Sequence, residues 1–176
     1  MADRYWVGGT GSWSSVNTAN WSASSGGATG ASVPTASDNV FFDVNSNVGT
    51  GAFTCTMANT PRVCNDFTAS GLDGTMTLAG SGIGLTVSGS LTFPATNFTR
   101  TYTGTTTFNA TTTGKTVTTN GVAFSGDVIF NGNVASWKRA ANSMRMLMAI
   151  QLSKKYPAAS EYAATAFGEA LADAGG

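Results

Sequence analysis

From residue 67 onward, apolar and hydroxyl-bearing side chains alternate along the chain, as in Leu85-Thr86-Val87 and Leu91-Thr92-Phe93. A period of two predicts short strands with one face buried. The pattern also recurs. Gly74-Thr75-Met76-Thr77-Leu78 is echoed by Gly89-Ser90-Leu91-Thr92-Phe93 and by Gly104-Thr105-Thr106-Thr107-Phe108, an offset of 15 residues each time. Val87, Tyr102 and Val117 keep that offset, and Gly121-Val122-Ala123-Phe124 continues it with a slip of one. A short repeat of strands predicts a mainly β fold of solenoid type, a parallel β-helix with rungs of about 15 residues. Its inward ladders would be Val87-Tyr102-Val117 and Leu78-Phe93-Phe108. An antiparallel β-sandwich is the alternative, because its strands also recur at short spacing.

The two ends of the chain read differently. Trp6, Trp13 and Trp21 fall in the opening segment, among glycines that mark turns between short strands. They supply much apolar area where other large side chains are scarce, and they predict a Trp-rich cap on the first end of the β stack. Near Ser136 the composition changes to Lys, Arg, Ala and Met. Residues 137–154 carry Trp137, Ala140, Ala141, Met144, Leu147, Met148 and Leu152 at helical spacing, and Tyr162, Ala166, Phe167 and Ala170 share one face of a second helix at about 158–173. The expected organisation is therefore a Thr/Ser/Gly-rich β domain over 1–136 and a C-terminal helical hairpin over 137–176, which either attaches to another protein or copy or folds back to cap the last β rung. All five bases of the tail (Lys138, Arg139, Arg145, Lys154, Lys155) lie on its first helix, and all three acids (Glu161, Glu169, Asp173) on its second. An antiparallel hairpin would set opposite charges side by side.

Composition narrows the chemistry. Only 10% of residues are charged and the formal net charge is zero, so no broad basic face for nucleic acid can be assembled. No apolar run is long enough to span a membrane, and the first residues lack the pattern of a signal peptide. The chain has no histidine, which removes Ser-His-Asp and Cys-His nucleophiles and His-ligated metals. Asp38, Asp43, Asp66, Asp73 and Asp127 stand mostly beside Asn or Gly, contexts that favour turns over a carboxylate pair. Cys55 and Cys64 have neither redox nor metal-ligand spacing, and a disulfide would need adjacent strands. No catalytic, cofactor-binding or metal-binding residue is expected, and no cofactor.

Gly9-Thr10-Gly11-Ser12-Trp13, Asn20-Trp21-Ser22, Val33-Pro34-Thr35, Asp38-Asn39-Val40-Phe41-Phe42 and Leu85-Thr86-Val87-Ser88-Gly89-Ser90-Leu91-Thr92-Phe93 resemble β-helical repeat surface proteins of bacteria and phages, including autotransporter-like adhesins and phage virion structural proteins. The resemblance covers residues 5–132. Together with a short chain that shows no export signal, it implies a non-enzymatic phage virion protein, a capsid decoration, head fibre or tail fibre located on the particle surface. The alternative it implies is a carbohydrate-binding or depolymerising β-helix adhesin. Expected partners are other virion proteins, further copies of the chain (a trimer is one form) and a surface glycan, with no nucleic acid and no membrane. Candidate docking residues are Trp137, Met144, Met146, Met148, Tyr162 and Phe167, since methionine adapts to contact surfaces. Trp6, Trp13 and Trp21 are the candidates for stacking on a glycan.

Overall fold

The structure is a computed structural model that describes residues 1–47, 49, 51–124, 134–153, 158 and 162–172, without the side chains of 134–137, 153 and 162. The chain divides into two compact units, Met1–Gly126 and Asp127–Gly176.

The first unit is a three-faced β-solenoid. Its strands are β1 (Asp3–Trp6), β2 (Gly11–Trp13), β3 (Trp21–Ser22), β4 (Asn39–Phe42), β5 (Phe53–Met57), β6 (Arg62–Cys64) and β7 (Phe67–Ala69). They continue as β8 (Met76–Ala79), β9 (Leu85–Val87), β10 (Leu91–Thr92), β11 (Phe98–Arg100), β12 (Thr106–Phe108) and β13 (Val117–Thr118). Face A is the sheet β13-β10-β7-β4-β1-β3, face B is β11-β8-β5-β2 and face C is β12-β9-β6. Every pairing is parallel except that of β1 with β3, which runs antiparallel at the first end. A sandwich of antiparallel strands is thereby excluded.

Each turn of the solenoid is longer than 15 residues. Val40 pairs with Phe67 and Phe67 with Leu91, intervals of 27 and 24. On face C, Arg62 pairs with Leu85 and Leu85 with Thr106, intervals of 23 and 21. The 15-residue offset is a real periodicity with a different cause. Leu78 lies on β8 of face B, Phe93 directly follows β10 of face A, and Phe108 lies on β12 of face C. Each step of 15 passes over one strand and lands on the second, about two thirds of a turn in a coil of three strands. The two proposed ladders are therefore spirals that visit all three faces. Leu78, Phe93, Val87 and Tyr102 are buried, but Val117 is 49% exposed.

The ladders that stack in register are Val40-Phe67-Leu91, Phe53-Met76-Phe98, Cys55-Leu78 and Cys64-Val87. Because side chains of a strand alternate faces, the residues between them point outward. Aromatic contacts run along the core axis, from Trp6, Trp13 and Trp21 through Phe42 and Phe67 to Phe93, Phe98 and Phe124. At one corner a polar ladder links successive coils. Asn39 Nδ2 donates to Asp3 Oδ1 (2.9 Å), Asn65 Nδ2 to Asn39 Oδ1 (2.8 Å), and the Ser90 N–H to Asp66 Oδ1 (2.7 Å).

Cys55 and Cys64 point into this core from consecutive strands and remain free. Burial pushes both thiols well above the ordinary value of 9.0, and the Asp66 carboxylate adds to the effect at Cys64. A folded-state pKa raised in this way contributes stability that is fully present below pH 9 and is lost as the unfolded thiols ionise above it. Native protein should leave both cysteines unreacted with a thiol reagent at neutral pH, while urea should expose two equivalents. Labelling of either thiol in the fully native chain would refute the burial.

The second unit holds α1 (Val134–Ser153) and α2 (Tyr162–Ala172), packed on each other. Arg145 Nη2 donates to Glu169 Oε2 at 2.7 Å. That pair sets the middle of α1 beside the second half of α2, as in an antiparallel hairpin. Both side chains are well exposed, so the pair contributes only a few tenths of a kcal/mol.

Candidate functional site

With the core filled, the outward positions define what the solenoid can touch. On face B, Thr54, Thr77 and Thr99 stand in register on β5, β8 and β11, and Thr10 Oγ1 just before β2 accepts the Thr54 N–H at 3.1 Å. On face A, Thr68, Thr92 and Thr118 follow Phe41 in register. On face C, Thr86 and Thr107 follow Val63. Threonine suits these sites because its branched Cβ favours extended backbone. Strands in a sheet lie about 4.8 Å apart, so each column repeats a hydroxyl and a methyl at that spacing. The Thr54, Thr77 and Thr99 hydroxyls make no hydrogen bond to the described residues and are free to meet a ligand. At the corner before face A, Lys115 Nζ lies 3.7 Å from Asp66 Oδ1.

Asp38, Asp43 and Asp66 accept backbone N–H groups, and Asp127 lies outside the described residues. Asp38 accepts the Ala2 N–H (2.9 Å), the Thr35 N–H (3.1 Å) and the Thr35 hydroxyl (2.7 Å). Burial pushes its carboxyl up, but the Thr35 and Ala2 hydrogen bonds and the nearby Arg4 charge outweigh that and hold it below the usual carboxylate range. Asp43 accepts the Asn45 N–H at 2.9 Å. These are turn-closing roles. Among the described residues, no group of three His, Cys, Asp or Glu side chains could hold a metal ion.

The three tryptophans are not surface platforms. Trp6, Trp13 and Trp21 are each 0% exposed, with Trp21 edge-on to both Trp6 (5.2 Å) and Trp13 (5.3 Å). Glycan stacking on them is therefore corrected. The antiparallel β3 folds back over β1 and turns these rings inward, leaving no indole face open to a sugar. The outward aromatic pair is Tyr5 and Phe41, stacked at 4.8 Å on face A and half-buried. The register of outward residues, which the sequence shows once the coil length is known, would have found that pair and the threonine columns.

On the hairpin, Met144 and Met148 are 60% and 65% exposed, while Met146 and Phe167 are half-buried. The side chains of Trp137 and Tyr162 lie outside the described residues. Leu147, Met148, Gln151 and Leu152 line a shallow apolar groove on α1. Met144 and Met148, two of the expected docking residues, thus stand outside the buried contact of the hairpin. Small residues make the inter-helix contact, with Ala149 of α1 and Ala163, Ala166 and Ala170 of α2 buried.

A family model of SusD-like type, described as starch-binding associating with outer membrane, matches residues 106–174. That stretch is well under half of the chain. It takes in β12, β13 and the hairpin and leaves out the tryptophan-bearing first coil. No curated protein and no solved structure matches the chain.

Proposed function

We propose that this chain is a non-enzymatic structural module of a particle surface, a virion protein of decoration or fibre type, in which the solenoid presents threonine columns and the hairpin makes attachments. The carrying observation is the outward register of the threonines on three faces around a fully packed core. Such a body is stiff, neutral along its columns and free of protein-bound hydroxyls at Thr54, Thr77 and Thr99. Mass spectrometry of purified particles made from the same genome tests the reading. The chain should be recovered at constant copy number per particle, and its absence from them would sink the proposal.

Carbohydrate binding is the second reading, favoured by the starch-binding description of the family that resembles residues 106–174. On this geometry the sugar would lie on the outer columns or on the Tyr5–Phe41 pair, never on the indoles. Affinity electrophoresis in gels containing a neutral glucan would show retardation of the wild-type chain. Thr77→Lys and Tyr5→Ala, both outward, should reduce it without unfolding the protein. Equal mobility with and without glucan would remove this reading.

A further inference from the structure

Face B presents a two-dimensional array of hydroxyls and methyls. Thr54, Thr77 and Thr99 form one column in register, with Thr10 just before it. Two residues further along the same strands, Ser12, Thr56 and Ala79 form a second column in register. Thr101 extends it past β11, its N–H donating to the Leu78 carbonyl at 2.9 Å. These side chains are small and neutral, and none is buried. The hydroxyls of Thr54, Thr56, Thr77, Thr99 and Thr101 make no hydrogen bond to the described residues. The other faces break the pattern. Face A starts with the stacked Tyr5–Phe41 pair and sets Asp3 and Asn39 in register beside it. Face C starts with Val63 and holds three strands.

The backbone sets the spacing of the array. Neighbouring strands lie about 4.8 Å apart, and alternate residues of one strand about 6.7 Å apart. Water in a tetrahedral hydrogen-bonded lattice has its own repeats. With O–H···O bonds of about 2.75 Å, second-neighbour oxygens fall about 4.5 Å apart, and the perpendicular repeat is about 7.3 Å. The misfit is under about a tenth in each direction and accumulates to about 1 Å across the four strands of face B. A sugar is a poorer match to these columns. Small-molecule sites are concave and lined by apolar and aromatic side chains, whereas the columns hold no ring and stand on the outside of a sheet. We propose that face B binds ice. Its hydroxyls take the places of waters in the crystal surface, and its methyls sit in the gaps between them. The proposal rests on the register of face B alone and not on the particle reading above.

Thermal hysteresis of the full chain tests it. A seed crystal held in a solution of the wild type should stop growing over a measurable interval below its melting point. Thr77→Lys in the first column and Thr56→Lys in the second should each lose most of that interval, because a long charged side chain lifts the sheet off the crystal. Thr118→Lys, outward on face A, should keep it. Far-UV circular dichroism should match wild type in all three variants, since none of these positions is buried. A wild-type chain without hysteresis overturns the proposal. So does hysteresis that survives both face B variants, or that Thr118→Lys removes equally. Retardation in a neutral-glucan gel that Thr77→Lys abolishes, in a chain without hysteresis, overturns it as well and assigns the columns to a sugar.

Discussion

Gly104→Ala should unfold the later coils of the solenoid, at a cost of about 3 kcal/mol or more. The site is a corner between faces B and C, where two coils cross with almost no space between their backbones. A Cβ on Gly104 would lie 2.2 Å from the carbonyl carbon of Ile83, 2.3 Å from its oxygen and 2.4 Å from the Gly84 nitrogen. All three are backbone atoms, so no rotamer change relieves the clash. The crossing is glycine on both sides, since a Cβ on Gly84 would stand 2.6 Å from the Thr105 oxygen. That same carbonyl accepts the Leu85 N–H at 2.9 Å, a bond that holds β9 against β12. Moving one coil to admit a methyl would break it. Gly82→Ala is the control. Gly82 has φ of +68° but open space around it, so its cost is that of the left-handed backbone alone, about 1–2 kcal/mol. Urea denaturation followed by far-UV circular dichroism separates the two. Equal losses in both variants would refute the close approach at the corner.

The sequence displayed the architecture more clearly than its dimensions. Alternation at Leu85-Thr86-Val87 identified both the strand and its inward face, because burial of one side of a strand writes itself directly into the residue order. The coil length was hidden because every face uses the same apolar-Thr-apolar triplet. A search for self-similarity then locks onto the interval between equivalent strands on different faces, and only hydrogen-bonded partners distinguish Leu78-Phe93-Phe108 from Met76-Phe98. The helical tail was legible as two helices, but not in which faces meet. Its Met and Leu stripe looks like a core stripe by periodicity, yet the short contact in the hairpin is filled by Ala149, Ala163, Ala166 and Ala170. Small side chains let two helices approach closely and carry little hydropathy signal. The tryptophans of the opening segment carry two opposed readings in the sequence, a lid and a sugar platform. The direction in which β3 folds back decides between them, and a two-residue strand leaves no periodicity from which to read that direction.

That decision has the second large consequence. Trp21→Ala should cost about 3–5 kcal/mol, as expected for deleting a fully buried indole. Trp21 is 0% exposed and touches Trp6, Trp13 and Phe42, so its removal leaves a cavity where β3 closes over the first coil. Trp21→Phe should cost less than half as much. The ring contacts largely survive, and the indole Nε1 of Trp21 has no hydrogen-bond partner among the described residues, so nothing polar is lost with it. Trp6 supplies the contrast. Its Nε1 donates to the Gly9 carbonyl at 2.7 Å, and Trp6→Phe would strand that buried acceptor at an extra cost of about 1–3 kcal/mol. The expected order of stability is therefore wild type, then Trp21→Phe, then Trp6→Phe, with Trp21→Ala lowest, measured as urea midpoints at constant slope. A Trp21→Ala chain as stable as wild type would return the indole to the surface and with it the sugar platform. The predicted order instead makes the tryptophan cluster the stopper that keeps the first end of the solenoid closed.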